Sequence, residues 1–224
     1  MTDQSAIVSW RDGKTPVSTR FDDPYFSVVD GLAETDHVFL AGNDLPARFA
    51  PGFHIAELGF GTGLNALAAW RAWRAAGQRG ALRYTSFEAY PMRPGDALTA
   101  LAAFPELTDL AQQMMAAIDS SGRVSLPGLE LSIVAGDARR SLPGWPGRAD
   151  AWFLDGFSPA KNPELWGPEL MAEVARHTRP GGSAATYSAA GFVRRGLHAA
   201  GFTVQRQPGF GRKRHMTTAR MAGD

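Results

Sequence analysis

The feature that most restricts the fold of this chain is an alternation. Short apolar segments recur along it, separated by stretches of good helix formers. Strands are expected at 53–58, 82–88, 129–134, 151–154 and 183–187. Helices are expected at 64–76, over most of 94–119 with a break at Phe104-Pro105, and at 138–142, 165–177 and 190–200. Strands that alternate with helices make a mainly parallel sheet covered on both faces. The helix at 165–177 should stop at Arg179-Pro180-Gly181-Gly182. Two last strands, 202–205 and 216–219, are joined by a Gly- and Arg-rich connection with no helix, which predicts an antiparallel pair. Residues 1–50 lack this rhythm. Val38-Phe39-Leu40 before Gly42-Asn43-Asp44 predicts a short strand and a turn. Residues 1–50 are expected to be an extension packed on a domain that spans 51–224.

Composition narrows the chemistry. The 224 residues contain no cysteine, which excludes a disulfide framework, thiolate metal ligation and thiol catalysis. That fits a reducing cytoplasm. Asp3, Asp12, Asp22, Asp23 and Asp30 interrupt the first 30 residues, and no run of about 18 apolar residues follows, so neither a secretory leader nor a membrane span is expected. The net charge of +1 conceals a polarity. Residues 1–173 carry 14 Lys/Arg against 21 Asp/Glu, whereas 174–223 carry nine basic residues and no acidic one. Such asymmetry points to an anionic partner near the C-terminal third.

The turn Gly59-Phe60-Gly61-Thr62-Gly63 lies between an expected strand and an expected helix. Glycines there let the backbone approach a ligand, and the helix start offers free N–H groups. A dinucleotide fingerprint would require a third glycine at position 64, which is Leu64. Glu57 just before the turn would repel a pyrophosphate and suits a cationic group. Glu88, Asp137 and Asp155 also end successive expected strands, where open α/β sheets bind ligands. Glu88 suits a ribose diol and Asp137 an adenine amino group. A desolvated Asp155 could take a proton from an amine. The five histidines have no metal-ligand spacing.

The glycine turn resembles the first motif of S-adenosyl-L-methionine-dependent methyltransferases. Longer blocks at 21–27, 34–43, 57–65, 152–166, 190–197 and 209–216 resemble the MnmC/MnmD-type tRNA methyltransferases; Pro24 departs from the family pattern. The resemblance implies a class I methyltransferase fold with a mainly parallel seven-stranded sheet and one reversed terminal strand. It implies S-adenosyl-L-methionine held by Glu57, Gly59, Gly61, Gly63, Glu88 and Asp137, with Asp155 as the catalytic residue. The implied reaction converts 5-aminomethyl-2-thiouridine at the tRNA wobble position to 5-methylaminomethyl-2-thiouridine. Phe157, Lys161, Arg194, Arg195, Arg212, Lys213 and Arg214 would contact the tRNA anticodon region. A separate FAD-dependent oxidoreductase would supply the amine. The other readings are methylation of a small-molecule or protein amine, a nicotinamide oxidoreductase, and a non-catalytic RNA-binding module.

Overall fold

The computed structural model describes residues 5–13, 15–27 and 30–223. Near the N-terminus, β1 (Val8–Arg11), β2 (Thr15–Ser18) and β3 (Asp23–Pro24) form a small antiparallel sheet. Helix α1 (Gly31–Thr35) follows, capped by the Asp30 carboxylate, which accepts from the Ala33 N–H at 2.9 Å. The main sheet contains β4 (His54–Leu58), β5 (Leu82–Glu88), β6 (Arg123–Leu126), β7 (Leu129–Ala135), β8 (Ala149–Leu154), β9 (Thr178–Thr186), β10 (Thr203–Pro208) and β11 (His215–Arg220). Its helices are α2 (Leu64–Ala75), α3 (Pro94–Leu101), α4 (Thr108–Ala117), α5 (Ala138–Ser141), α6 (Pro168–Arg176) and α7 (Gly191–Ala199).

The strand order is β10-β11-β9-β8-β4-β5-β7-β6. Strands β9, β8, β4, β5 and β7 are parallel neighbours, and β11 runs antiparallel between β9 and β10. From β4 the chain builds outward through β5 and β7, then returns to add β8 on the other side of β4. That reversal opens a crevice beyond the carboxyl ends of β4 and β8, the place where such sheets bind ligands. Helices α2 and α4 pack on one face, with Trp70, Trp73 and Met114 buried. Helices α6 and α7 cover the other, with Met171, Val174, Val193 and Leu197 buried.

Three local expectations change. The sheet has eight strands rather than seven, because β6 pairs with β7 as an antiparallel edge hairpin. The Asp119 carboxylate builds the turn before it, accepting from the Ser121 and Arg123 N–H groups at 2.8 and 3.0 Å. Val38-Phe39-Leu40 is a wide helical turn, Asp36–Leu40, that extends α1. Its three apolar side chains are all buried, and a short apolar run reads the same whether strand or buried helix. The 3-10 turn Ala41–Asn43 follows it. Gly42 rests on β9 and β11 there; a Cβ would lie 2.9 Å from that of Ala185. Finally, α6 ends at Arg176 as expected, but β9 starts at Thr178, not at 183, and runs through the Pro-Gly-Gly. A bulge absorbs it: Ala149 pairs with Thr178, while Ala151 pairs with Ser183.

Candidate functional site

A cavity of about 1090 Å³ occupies the crevice at the β4/β8 reversal. Drug-sized ligands fill sites of about 300–1,000 Å³, so this one has room for two reactants. The wall on the sheet side comes from the loops after β4, β5, β7 and β8, through residues 59–62, Leu64, Asn65, Glu88, Asp137 and residues 155–157; Gly63, expected at the cofactor, instead faces the core, where a Cβ would lie 2.8 Å from Met114 Cε. The opposite wall comes from the segment before α1, through Phe21, Tyr25 and Phe26.

The glycine turn is shaped by its neighbours. Gly59, Gly61 and Gly63 all have positive φ, at 84°, 55° and 83°. A Cβ at Gly59 would sit 3.2 Å from the Gly156 backbone, so the tips of β4 and β8 meet only because that side chain is missing. Glu88 at the end of β5 ties the turn down. Its Oε2 accepts from the Gly61 N–H at 3.0 Å and its Oε1 from the Tyr90 N–H at 2.8 Å. The backbone N–H groups of Phe60 and Ala89 also act on this carboxylate, so Glu88 is held rigidly at the rim of the turn. Desolvation raises the Glu88 pKa, against backbone N–H groups that lower it. The Tyr25 hydroxyl is pushed up to about 12 by burial and then by Glu88, so it remains a donor.

Two other carboxylates behave differently from the sequence expectation. Asp137 lines the cavity, but it caps α5 and is gripped by the Arg139 guanidinium at 2.6 Å. That hydrogen bond holds its pKa below the usual range. Glu57 does not face the cavity. It is fully buried behind Asn65, accepting from Asn65 Nδ2 at 2.9 Å and from the Ser86 hydroxyl at 2.7 Å. Burial pushes its pKa up to about 8, which favours the neutral acid there.

Asp155 stands at the end of β8 and faces the cavity. Its Oδ1 accepts from the Gly156 N–H at 2.8 Å and its Oδ2 from Asn65 Nδ2 at 2.7 Å. Desolvation raises its pKa to about 6, against the lowering by those two donors and by the Lys213 ammonium. Asp155 is therefore mostly ionised at neutral pH yet close to its own midpoint, which suits a proton acceptor.

The basic residues separate. Lys213 turns into the cavity, where its ammonium donates to Glu34 at 2.6 Å and lies 4.0 Å from the Tyr187 ring centroid. Tyr187 donates its hydroxyl to the Gly156 carbonyl at 2.6 Å. Arg212 and Arg214 are exposed on the loop between β10 and β11, and Arg194 and Arg195 belong to α7, just after the carboxyl end of β9. All four thus belong to the end of the sheet that carries the cavity, but none of them lines it. Phe157 stacks on Phe21 at 4.7 Å and meets Tyr25 edge-on at 5.1 Å. Lys161 donates to the Asp22 carbonyl and lies 3.7 Å from Asp23, and so fastens the segment around β3 to the loop after β8.

Sequence reasoning missed Asn65, Glu34 and Tyr187. Asn65 carried a faint signal, a polar residue in the first turn of a helix whose first seven positions are otherwise apolar. Glu34 carried only its place in the 34–43 block and Tyr187 carried none, since each meets its partners only through the fold.

A crevice at a parallel-sheet reversal, with a glycine turn at one strand tip and cavity-lining carboxylates at the two beside it, is the layout of a nucleoside-cofactor enzyme of the α/β class. Residues 103–222 match the model of an S-adenosyl-L-methionine-dependent methyltransferase family, and the chain belongs to that family. It is 45% identical over 238 aligned positions to the tRNA 5-methylaminomethyl-2-thiouridine biosynthesis bifunctional protein MnmC of Stutzerimonas stutzeri, covering 98% of this chain and 36% of that protein. It is 48% identical over 219 positions to the protein of the same name from Caulobacter vibrioides, covering 94% of this chain and 37% of the relative. The chain therefore spans about a third of the length of the curated relatives it matches. Among solved structures it is similar to MNMC2 from Aquifex aeolicus, with a TM-score of 0.78 and 25% identity over 98% of this chain and 72% of that one.

The site fits the family's cofactor, S-adenosyl-L-methionine. Glu88 lines the cavity at the end of β5, beside the glycine turn, where a hydroxyl-bearing ligand can reach a carboxylate. With Glu34 paired to Lys213, Asp155 and Glu88 are the carboxylates nearest the turn, and their charge suits a sulfonium and opposes a pyrophosphate. Among the described residues no group of His, Asp or Glu is arranged to hold a metal ion, and no helix is long and apolar enough to cross a membrane.

Proposed function

We propose that this chain methylates the primary amine of 5-aminomethyl-2-thiouridine at the tRNA wobble position, giving 5-methylaminomethyl-2-thiouridine. The observation that carries the reading is Asp155: a carboxylate with a midpoint near 6, facing a cavity with room for a cofactor and a base. The names of the curated relatives give the substrate class.

Bound S-adenosyl-L-methionine supplies an electrophilic methyl group. The chain's own residues prepare the nucleophile. An alkylammonium has no lone pair, so the amine must first lose a proton, and the ionised Asp155 Oδ accepts it or orients the neutral amine by a hydrogen bond. Gly156 and Asn65 keep the carboxylate plane fixed, so the nitrogen is aimed rather than merely held nearby. Phe157, Phe21 and Tyr25 offer ring faces and edges to an unstacked base. The Arg194, Arg195, Arg212 and Arg214 surface takes the RNA backbone through phosphate contacts that carry no sequence information. The amine itself requires a preceding oxidative reaction, the work of an FAD-dependent oxidoreductase, either linked or separate. The whole system is expected to be cytoplasmic.

The deciding experiment incubates the protein and S-adenosyl-L-methionine with tRNA bearing the aminomethyl nucleoside, then weighs the wobble nucleosides. One added methyl on that nucleoside, and none on tRNA lacking the aminomethyl group, is the expected result. Methylation of small amines with tRNA left untouched would favour the small-molecule reading.

A further inference from the structure

We propose that Asn65 is a positioning residue that holds the Asp155 carboxylate in its reactive orientation, with buried Glu57 as the anchor behind it; the inference rests on the amine-methylation reading above. Asn65 is the second residue of α2 and is 6% exposed. Its Oδ1 accepts from the Thr35 hydroxyl at 2.9 Å. Its Nδ2 has two hydrogens and two acceptors, Glu57 Oε1 at 2.9 Å and Asp155 Oδ2 at 2.7 Å. The amide orientation follows from chemistry as well as position, because an ionised carboxylate accepts only. Glu57 in turn is held by Ser86, so three strand and helix elements fix one amide. With Oδ1 bound by the Gly156 N–H, both Asp155 oxygens are clamped and their remaining lone pairs open to the cavity.

Several ionisable groups act on Asp155 beside this amide. They are Glu57 from β4, Tyr84 from β5, Glu34 from α1, Tyr187 after β9, and Lys213 from the loop before β11. Asn65 is the neutral donor from α2. A donor to the charged form lowers an acid's pKa, so its loss raises it.

The test compares the full chain with Asn65→Leu, which keeps the shape without a donor, and Asn65→Ala, which favours the helix and guards against a folding failure. Carboxyl carbons of labelled aspartate are titrated by NMR, with Asp155→Asn identifying the relevant signal. The Asp155 midpoint should rise by about half to one unit, the effect of one ordinary hydrogen bond. The acid limb of kcat/KM should move up with it, kcat should fall roughly tenfold from misalignment, and affinity for S-adenosyl-L-methionine should hold. A folded variant with an unmoved midpoint overturns the proposal, whatever its activity. If wild-type protein leaves the aminomethyl tRNA unmethylated, the substrate reading fails, while the NMR midpoint still decides whether Asn65 governs Asp155.

Discussion

Two charged regions flank the same crevice and obey opposite rules. At the strand tips, acids are buried or gripped: Glu57 sits behind Asn65, Glu88 under backbone N–H groups, and Asp155 beside the cavity. Burial raises the pKa values of all three. On the C-terminal third, four basic residues are neutralised by acids from earlier in the chain or from the neighbouring turn. These are Arg176 with Glu173, Arg179 with Asp150, Lys213 with Glu34 and Arg220 with Asp44. For Arg194, Arg195, Arg206, Arg212 and Arg214, no acidic side chain lies within ion-pair distance among the described residues. Arg194, Arg206 and Arg214 are close enough together that, after desolvation, they hold the His215 pKa down. Each kind of charge therefore acts in its own way. Buried acids do their work through proton affinity, tuned by a few fixed neighbours. Exposed arginines do theirs through unspent charge, which salt screens.

The largest effect should come from removing the tuned acid. Asp155→Asn should lower kcat about 100-fold or more while the dissociation constant for S-adenosyl-L-methionine, measured by calorimetry, changes little. Turnover within a few-fold of wild type would undo the contrast at its centre. Next, Arg212→Ala with Arg214→Ala should raise KM for tRNA and flatten its salt dependence, by about 0.7 in log–log slope for each phosphate no longer neutralised. Lys213→Ala should instead lower kcat with the salt slope largely kept, because its ammonium faces the cavity. If both variants flatten the slope equally, the inward and outward assignments collapse into one.

A smaller but more specific effect concerns pH. From the enzyme side, kcat/KM should fall as pH drops through about 6, where Asp155 takes up a proton, and not through the ordinary aspartate range. The smallest effect concerns Glu57. Glu57→Gln mimics the neutral acid, so cofactor affinity should be unchanged; a clear loss would return Glu57 to the role of cofactor ligand. Its stability effect has a definite sign. The folded pKa is raised to about 8 from 4.5, so the folded state keeps a proton that the unfolded state releases. Wild-type stability relative to Gln should therefore be greatest below about 4.5 and decline until pH reaches about 8. Thermal melts across that window should show the variant gaining, at roughly 2–4 °C for each kcal/mol recovered.

Much of this was legible in the residues. The strand–helix alternation, the glycine turn and the acids Glu88 and Asp155 at strand tips all follow from local pattern, because each is built within a few residues of backbone. The reversed strand β11 was legible too, since a 209–214 connection is too short for a parallel crossover. The role of Glu57 was not. Its place in the motif says only that it precedes the turn; whether it faces the cavity or the space behind Asn65 depends on β5 supplying Ser86 beside it. Arg212, Lys213 and Arg214 read as one basic run, yet the middle residue points inward to Glu34, 179 positions away.

Periodicity and composition are local sums, and they were enough to dictate the fold class, the crevice and the polarity between an acidic body and a basic end. Which charges are spent and which are free was settled only by tertiary packing. A charge has a fixed identity in the sequence, but its proton affinity and reach depend on the solvent it loses and the partners it meets. Those partners, such as Thr35 and Glu57 around Asn65 or Glu34 beside Lys213, come together only when the sheet closes.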